Sequence, residues 1–191
     1  MPWPAHIQQD LNGLSDTDNI RNHFYPLYLD ILVECFPKDR FRICPLYATS
    51  AEPFDGLGGL PHCPEGLDTT ISIVVQTRDP PDNLVLFIDI LPPTSLQKMW
   101  LRKEDDERMR GYMEQLADST NLPKLYGISA HGTRLCYYNV DLRSDPRSEE
   151  RLTTDTAPEQ WWSSDLREWE GRVKFFTLIQ EIRNWVDSPT S

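Results

Sequence analysis

The sequence predicts an α+β domain, a central mixed sheet flanked by helices. Three observations carry that expectation. Apolar residues recur at helical spacing in three stretches, near 20–35, 95–119 and 165–186. Five short β-branched or apolar runs lie between them, punctuated by Pro, Gly and Asn. The resulting order is helix, strand, hairpin, long helix, hairpin, helix, which is not the regular alternation of a parallel α/β fold.

In the first helical stretch Ile20, Phe24, Leu27, Tyr28, Ile31 and Cys35 fall at steps of three and four. Asp16 to Asp18 offer caps and Pro37 a stop, while Pro26 requires the helix to start near it or to kink. Arg40 to Thr49 reads as a strand. The stretch 52–66 holds four Gly and three Pro and reads as a loop. Its Gly56-Leu57-Gly58-Gly59 is followed by no helical pattern and so makes no dinucleotide fingerprint. Thr69 to Thr77 and Leu84 to Leu91 form a hairpin across Pro80-Pro81-Asp82-Asn83. The second of these strands is apolar on both faces, as a central, doubly covered strand is.

Pro92-Pro93 ends that strand, and a helix is expected from Ser95 to about Ser119. Met109, Tyr112, Met113 and Leu116 give its apolar side, and the alternating charges of Arg102 to Arg110 read as a solvated face. Lys124 to Ser129 and Arg134 to Val140 form a second hairpin around His131-Gly132. Arg143 to Ala157 is polar and reads as a surface connection. The last helix carries the stripe Trp169, Val173, Phe176, Ile179, Ile182 and Val186, with Asp165 and Glu168 placed as a capping box. The expected organisation is an N-terminal extension over 1–15, one domain over 16–187 and a tail over 188–191.

Composition narrows the function classes. The chain has 191 residues, 30 acidic and 19 basic, for a net charge of -11. Such a chain repels a phosphate backbone, so nucleic acid is an unexpected partner. Cysteines 35, 44, 63 and 136 form no CxxC pair or dense framework, which points to a reducing compartment. The longest apolar run, Leu84 to Ile88, is too short to span a membrane, and the N-terminus has no signal-peptide pattern. An intracellular protein, cytoplasmic or nuclear, is expected.

Chemistry is sought first among the carboxylates. Asp68 stands at the start of the second strand and Asp89 stands alone inside the apolar Leu84 to Leu91. A buried lone carboxylate needs a partner or a proton. Asp68 and Asp89, if they face one another, would have their repulsion relieved by Mg²⁺ or Mn²⁺. Glu34, late in the first helix, is a further candidate ligand. His62-Cys63 with Cys44 or His131 fits no zinc spacing, and Ser129 lacks the second Gly of a nucleophile elbow. Trp161-Trp162 reads as packing beneath the last helix, or else as an exposed anchor.

The element order, with Leu67-Asp68 and Asp89-Ile90-Leu91 at the ends of paired strands, resembles the restriction-endonuclease-like fold with its PD-(D/E)XK signature. There, two carboxylates hold a divalent metal and a Lys two residues after the second acid faces the same phosphate. Pro123 to Ala130, Gly132 to Leu135, Asp155-Thr156-Ala157-Pro158 and Asp89 to Pro93 also resemble segments of an uncharacterised fungal protein family with such a core. The resemblance implies Asp68 and Asp89 as catalytic and metal-binding positions, with Glu34 as an added acid. Leu91 replaces the Lys, so the motif is degenerate. The expectation is therefore a non-catalytic, nuclease-like domain that binds another protein and needs no cofactor. The alternatives are a Mg²⁺- or Mn²⁺-dependent nuclease, with Lys98 or Arg102 as a migrated cation, and a metal- or small-ligand-sensing module.

Overall fold

The computed structural model describes residues 2–48, 70–78, 82–117, 120–142 and 157–187. Helices α1 (Ala5–Gly13) and α2 (Tyr25–Cys35) precede the strands β1 (Phe41–Ala48), β2 (Thr70–Thr77) and β3 (Leu84–Leu91). Helix α3 (Met99–Leu116) leads to β4 (Lys124–His131) and β5 (Arg134–Asp141), followed by the two-residue β6 (Ser164–Asp165) and helix α4 (Trp169–Asp187). Lateral order follows chain order, β1-β2-β3-β4-β5-β6. Every neighbouring pair is antiparallel except β3 and β4, which run parallel. A parallel pair cannot be joined by a tight turn, and α3 supplies the crossover. The α+β architecture with a mixed sheet flanked by helices is thus observed.

The sheet divides two apolar layers. On one face Trp3, Ile7, Leu11, Tyr28 and Ile31 pack with Phe175, Ile179 and Ile182 of α4 over Ile73, Ile88, Ile90 and Ile128. On the other, Met109, Tyr112 and Leu116 of α3 pack with Trp162 over Val74, Phe87 and Leu125. All of β3 except Leu91 is buried, as a strand covered on both faces must be. Residues 1–15, read as an extension, carry α1, and Trp3 donates its indole N–H to the Leu166 carbonyl at 2.9 Å.

Several expectations change at the helices. The first helix starts at Tyr25 with Pro26 in its opening turn, where its missing N–H costs nothing, and does not reach back to Asp16. Helix α4 buries Gly171, Phe175, Ile179 and Ile182, while Trp169 and Val173 are exposed. The buried face thus lies two positions on from Trp169 and Val173 and meets the stripe read from the sequence at Ile179 and Ile182. Asp165 makes no capping box with Glu168: it lies in β6 and accepts the Arg167 backbone N–H and guanidinium. Trp162 packs against α3 on the opposite side of the sheet from α4. The Arg102 to Arg110 segment is not a solvated face, since Arg102, Asp105 and Asp106 are all buried.

Gly171 shows how closely α4 meets the sheet. A Cβ there would lie 1.9 Å from the Asp165 carbonyl oxygen, which belongs to backbone and cannot move aside. At Gly111, mid-α3, a Cβ would meet nothing within 4 Å. Gly171→Ala should therefore destabilise the protein by at least about 2 kcal/mol in urea melts. Gly111→Ala should stabilise it by about 0.5–1 kcal/mol, the helix-propensity difference alone.

Candidate functional site

The site grows from three strands and the helix that crosses them. Asp89 on β3, Ser72 on β2 and Ser129 on β4 point to the face covered by α3, with Ser129 directly opposite Asp89 in the β3–β4 register. The side chain of Asp89 is only 3% exposed. Its Oδ1 accepts the Ser72 hydroxyl at 2.8 Å and lies 3.5 Å from the Arg21 guanidinium, which also donates to Ser72 and to Tyr25. Its Oδ2 accepts from Arg108 Nε at 2.9 Å and stands 2.9 Å from Arg108 Nη2. Both oxygens of the carboxylate are engaged.

Arg108 is shared. Its Nη2 also donates to Asp105 Oδ1 at 2.8 Å, one helical turn back on α3. Asp105 is fully buried, and its second oxygen accepts the Ser129 hydroxyl and faces His131 Nε2 at 3.2 Å. Trp162 Nε1 donates to Ser129 Oγ at 2.7 Å, and the other His131 nitrogen meets Ser95 Oγ at 2.7 Å. One guanidinium thus stands between two buried carboxylates from different elements, inside a continuous hydrogen-bonded network. Buried polar groups without such partners would cost several kcal/mol.

Burial pushes the Asp89 carboxyl above its ordinary range, and the neighbouring Asp105 adds to that, while Arg108, Arg21 and the Ser72 hydroxyl oppose it. At Arg108 burial favours the neutral form, but Asp89 and Asp105 outweigh it and hold the guanidinium charged. Arg108 is therefore the positive charge shared by the two carboxylates, with Arg21 a second cation beside Asp89.

Of the sequence-derived candidates the described residues include Asp89 and Glu34, which lie apart. Asp68, like His62 and Cys63, lies outside the described residues. Glu34 is exposed on α2, beside a groove of about 1050 Å³ between the N-terminal segment and α4, and is not a partner of Asp89. Among the described residues no group of three or more His, Cys, Asp or Glu is placed to hold a metal ion. Leu91 is the last residue of β3, paired with His131. Of the two cations expected to migrate, Arg102 is turned onto the Leu96 and Ala157 carbonyls at 2.5 and 2.9 Å. Lys98 is exposed at the N-terminus of α3. The cations that reach Asp89 are Arg108, at 2.9 Å, and Arg21, at 3.5 Å, and the sequence pattern pointed to neither. The apolar positions Leu116, Tyr112 and Met109, continued back by three or four, land on Asp105 and Arg102; that signal marked this charged turn as buried.

Ser95, His131 and Asp105 line up in the order of a nucleophilic triad, but cannot act as one here. All three are buried, none lines the cavities of about 1050, 400 or 280 Å³, and Ser95 Oγ sits 2.5 Å from the Pro92 carbonyl, which takes its proton. The thiols are no better placed: burial pushes Cys136 up to about 11 and Cys35 up to about 12, so neither is a thiolate near neutrality.

Removing Arg108 takes away the guanidinium that Asp89 and Asp105 share and leaves Asp89 only the more distant Arg21 as a cation. Arg108→Met should destabilise by about 3–5 kcal/mol in urea melts at neutral pH. The pH dependence is also fixed in sign. Asp89 titrates higher in the folded than in the unfolded chain, so its ionisation costs more in the folded state. Its contribution to stability is therefore lost as pH rises from the ordinary value of 3.8 through the folded value. The stability of wild type minus that of Asp89→Asn should fall over that interval; a difference that rises would contradict the assignment.

No family model matches this chain, and neither a curated protein nor a solved structure matches it.

Proposed function

We propose that this chain is a restriction-endonuclease-like domain whose catalytic site has been closed by its own cation, and that it works by binding another protein. The fold class of this reading rests on the helix, three-strand meander, crossover helix and parallel strand of α2 to β4. One observation carries the functional part. Asp89, where such a nuclease holds its metal, has both oxygens engaged by Ser72 and Arg108. A divalent ion would have to displace a guanidinium that two carboxylates hold. With Leu91 in place of the Lys, the transition-state phosphate also lacks its donor. A net charge of -11 opposes a nucleic-acid substrate at long range. Exposed apolar side chains, Trp100 and Trp169 among them, favour a protein partner.

Arg108 also supports a second reading. A guanidinium beside Asp89 is the kind of cation a nuclease with a displaced Lys would use, and Asp68 could complete its metal site. The two readings part in one assay. Wild type and Asp89→Ala, prepared identically, are incubated with Mg²⁺ or Mn²⁺ and single- and double-stranded DNA and RNA. The closed-site reading predicts no cleavage by either protein above a no-protein control, and a wild-type melting temperature indifferent to millimolar Mn²⁺. Metal-dependent cleavage by wild type that Asp89→Ala abolishes would establish the nuclease instead.

A further inference from the structure

His131 closes β4 with its side chain fully buried, between Asp105 of α3 and Ser95 of the 3-10 turn Pro93–Ser95 that leads into that helix. Each contact there has a forced direction. Ser95 Oγ stands 2.5 Å from the Pro92 carbonyl oxygen, which can only accept, so the hydroxyl proton lies on that contact. His131 Nδ1, 2.7 Å from the same Oγ, must then donate to it. Trp162 Nε1 can only donate, so Ser129 Oγ accepts from it and gives its own proton to Asp105 Oδ2. A neutral imidazole has one N–H, already placed on Nδ1. His131 Nε2 would then face Asp105 Oδ2 at 3.2 Å with a lone pair against a carboxylate, in a place sealed from solvent.

From this geometry we infer that His131 is an imidazolium, carrying a second proton on Nε2, and that this proton is a latch joining β4 to the turn that starts α3. Arg108 and Ser129 both donate to Asp105, so its neighbours are set to hold the carboxylate and the proton sits on the ring. The other charges around the ring agree with this. Asp89 and Asp105 meet Arg108 and His131, charge for charge, with the partly exposed Arg21 beside Asp89 in addition. Arg134, next to His131 in the β4–β5 register, is turned onto the Trp162 carbonyl and Glu159. Arg102 is spent on the Leu96 and Ala157 carbonyls. Leu91, across on β3, and the edge-on ring of Trp162 bring no charge. Once the second proton passes to solvent, Nε2 and Asp105 repel, and the turn comes free of β4. The latch does not depend on whether Asp89 can hold a metal.

Ring nitrogens report their protons directly. The full chain, isotope-labelled at nitrogen, is examined at neutral pH by two-bond proton–nitrogen correlation, with His131 identified through its contact with the Trp162 ring. Both ring nitrogens of His131 should resonate as protonated. In Asp105→Asn the amide can donate to Nε2, so the ring should return to one protonated nitrogen, Nδ1, and one bare one. The N–H groups of Ser95 and Leu96 close the turn on Pro92 and Pro93. As pH is raised, their exchange protection should drop at least about tenfold in step with loss of the second ring proton, while protection in β3 and β4 persists. A bare nitrogen in wild type at neutral pH would overturn the inference, whether or not Asp105→Asn folds. Two protonated nitrogens in Asp105→Asn would overturn it as well. A turn that stays protected after the ring has lost its proton, or that opens only with the whole sheet, would remove the latch.

Discussion

Two carboxylates buried between a sheet and the helix that covers it repel one another and have each lost their water, so a chain that places them there must also bring a cation to them or give up one charge. Here the cation is Arg108, in contact with Asp89 from the sheet and Asp105 from its own helix. That contact ties α3, which lies over β4 and β5, to β3 beside them. The helix must present its charged turn to Asp89 and its apolar turns, Met109, Tyr112 and Leu116, to the layer beyond. Ser72, Ser129, His131, Ser95 and Trp162 then satisfy the remaining oxygens and ring nitrogens. A guanidinium suits the position better than an ammonium would, since its planar fork can address two carboxylates at once and stays charged when buried.

The same contact links the fold to what the molecule can do. With each Asp89 oxygen already holding a donor, Ser72 on one and Arg108 on the other, a divalent ion there would have to displace part of the network.

Five of the six described strands were legible as short apolar or β-branched runs, while the two-residue β6 was read as a helix cap. β3 could be read to the residue, being bounded by Asn83 and by Pro92-Pro93 and apolar on both faces. Asp89 was legible for the reason it is costly, a single charge in that run. Arg108 was not, because the apolar spacing carried back from Met109 lands on Asp105 and Arg102, and the partner of Arg108 is supplied by the sheet beneath it. α4 was placed correctly but its buried face was not: Gly171 and Phe175 meet the sheet where Trp169 and Val173 had the better apolar pattern. Close approach of backbone to β6 selects a glycine there, and hydropathy alone does not register it.

The central claim is that Asp89 and Arg108 stabilise this core through one another. A double-mutant cycle tests it directly, with urea melts of wild type, Asp89→Asn, Arg108→Met and the double variant at neutral pH. Coupling is predicted to be favourable by at least about 2 kcal/mol, so that Asp89→Asn recovers much of the stability lost in Arg108→Met. Additive losses, with coupling within about 0.5 kcal/mol of zero, would contradict the account and return Asp89 to the role of an available metal ligand.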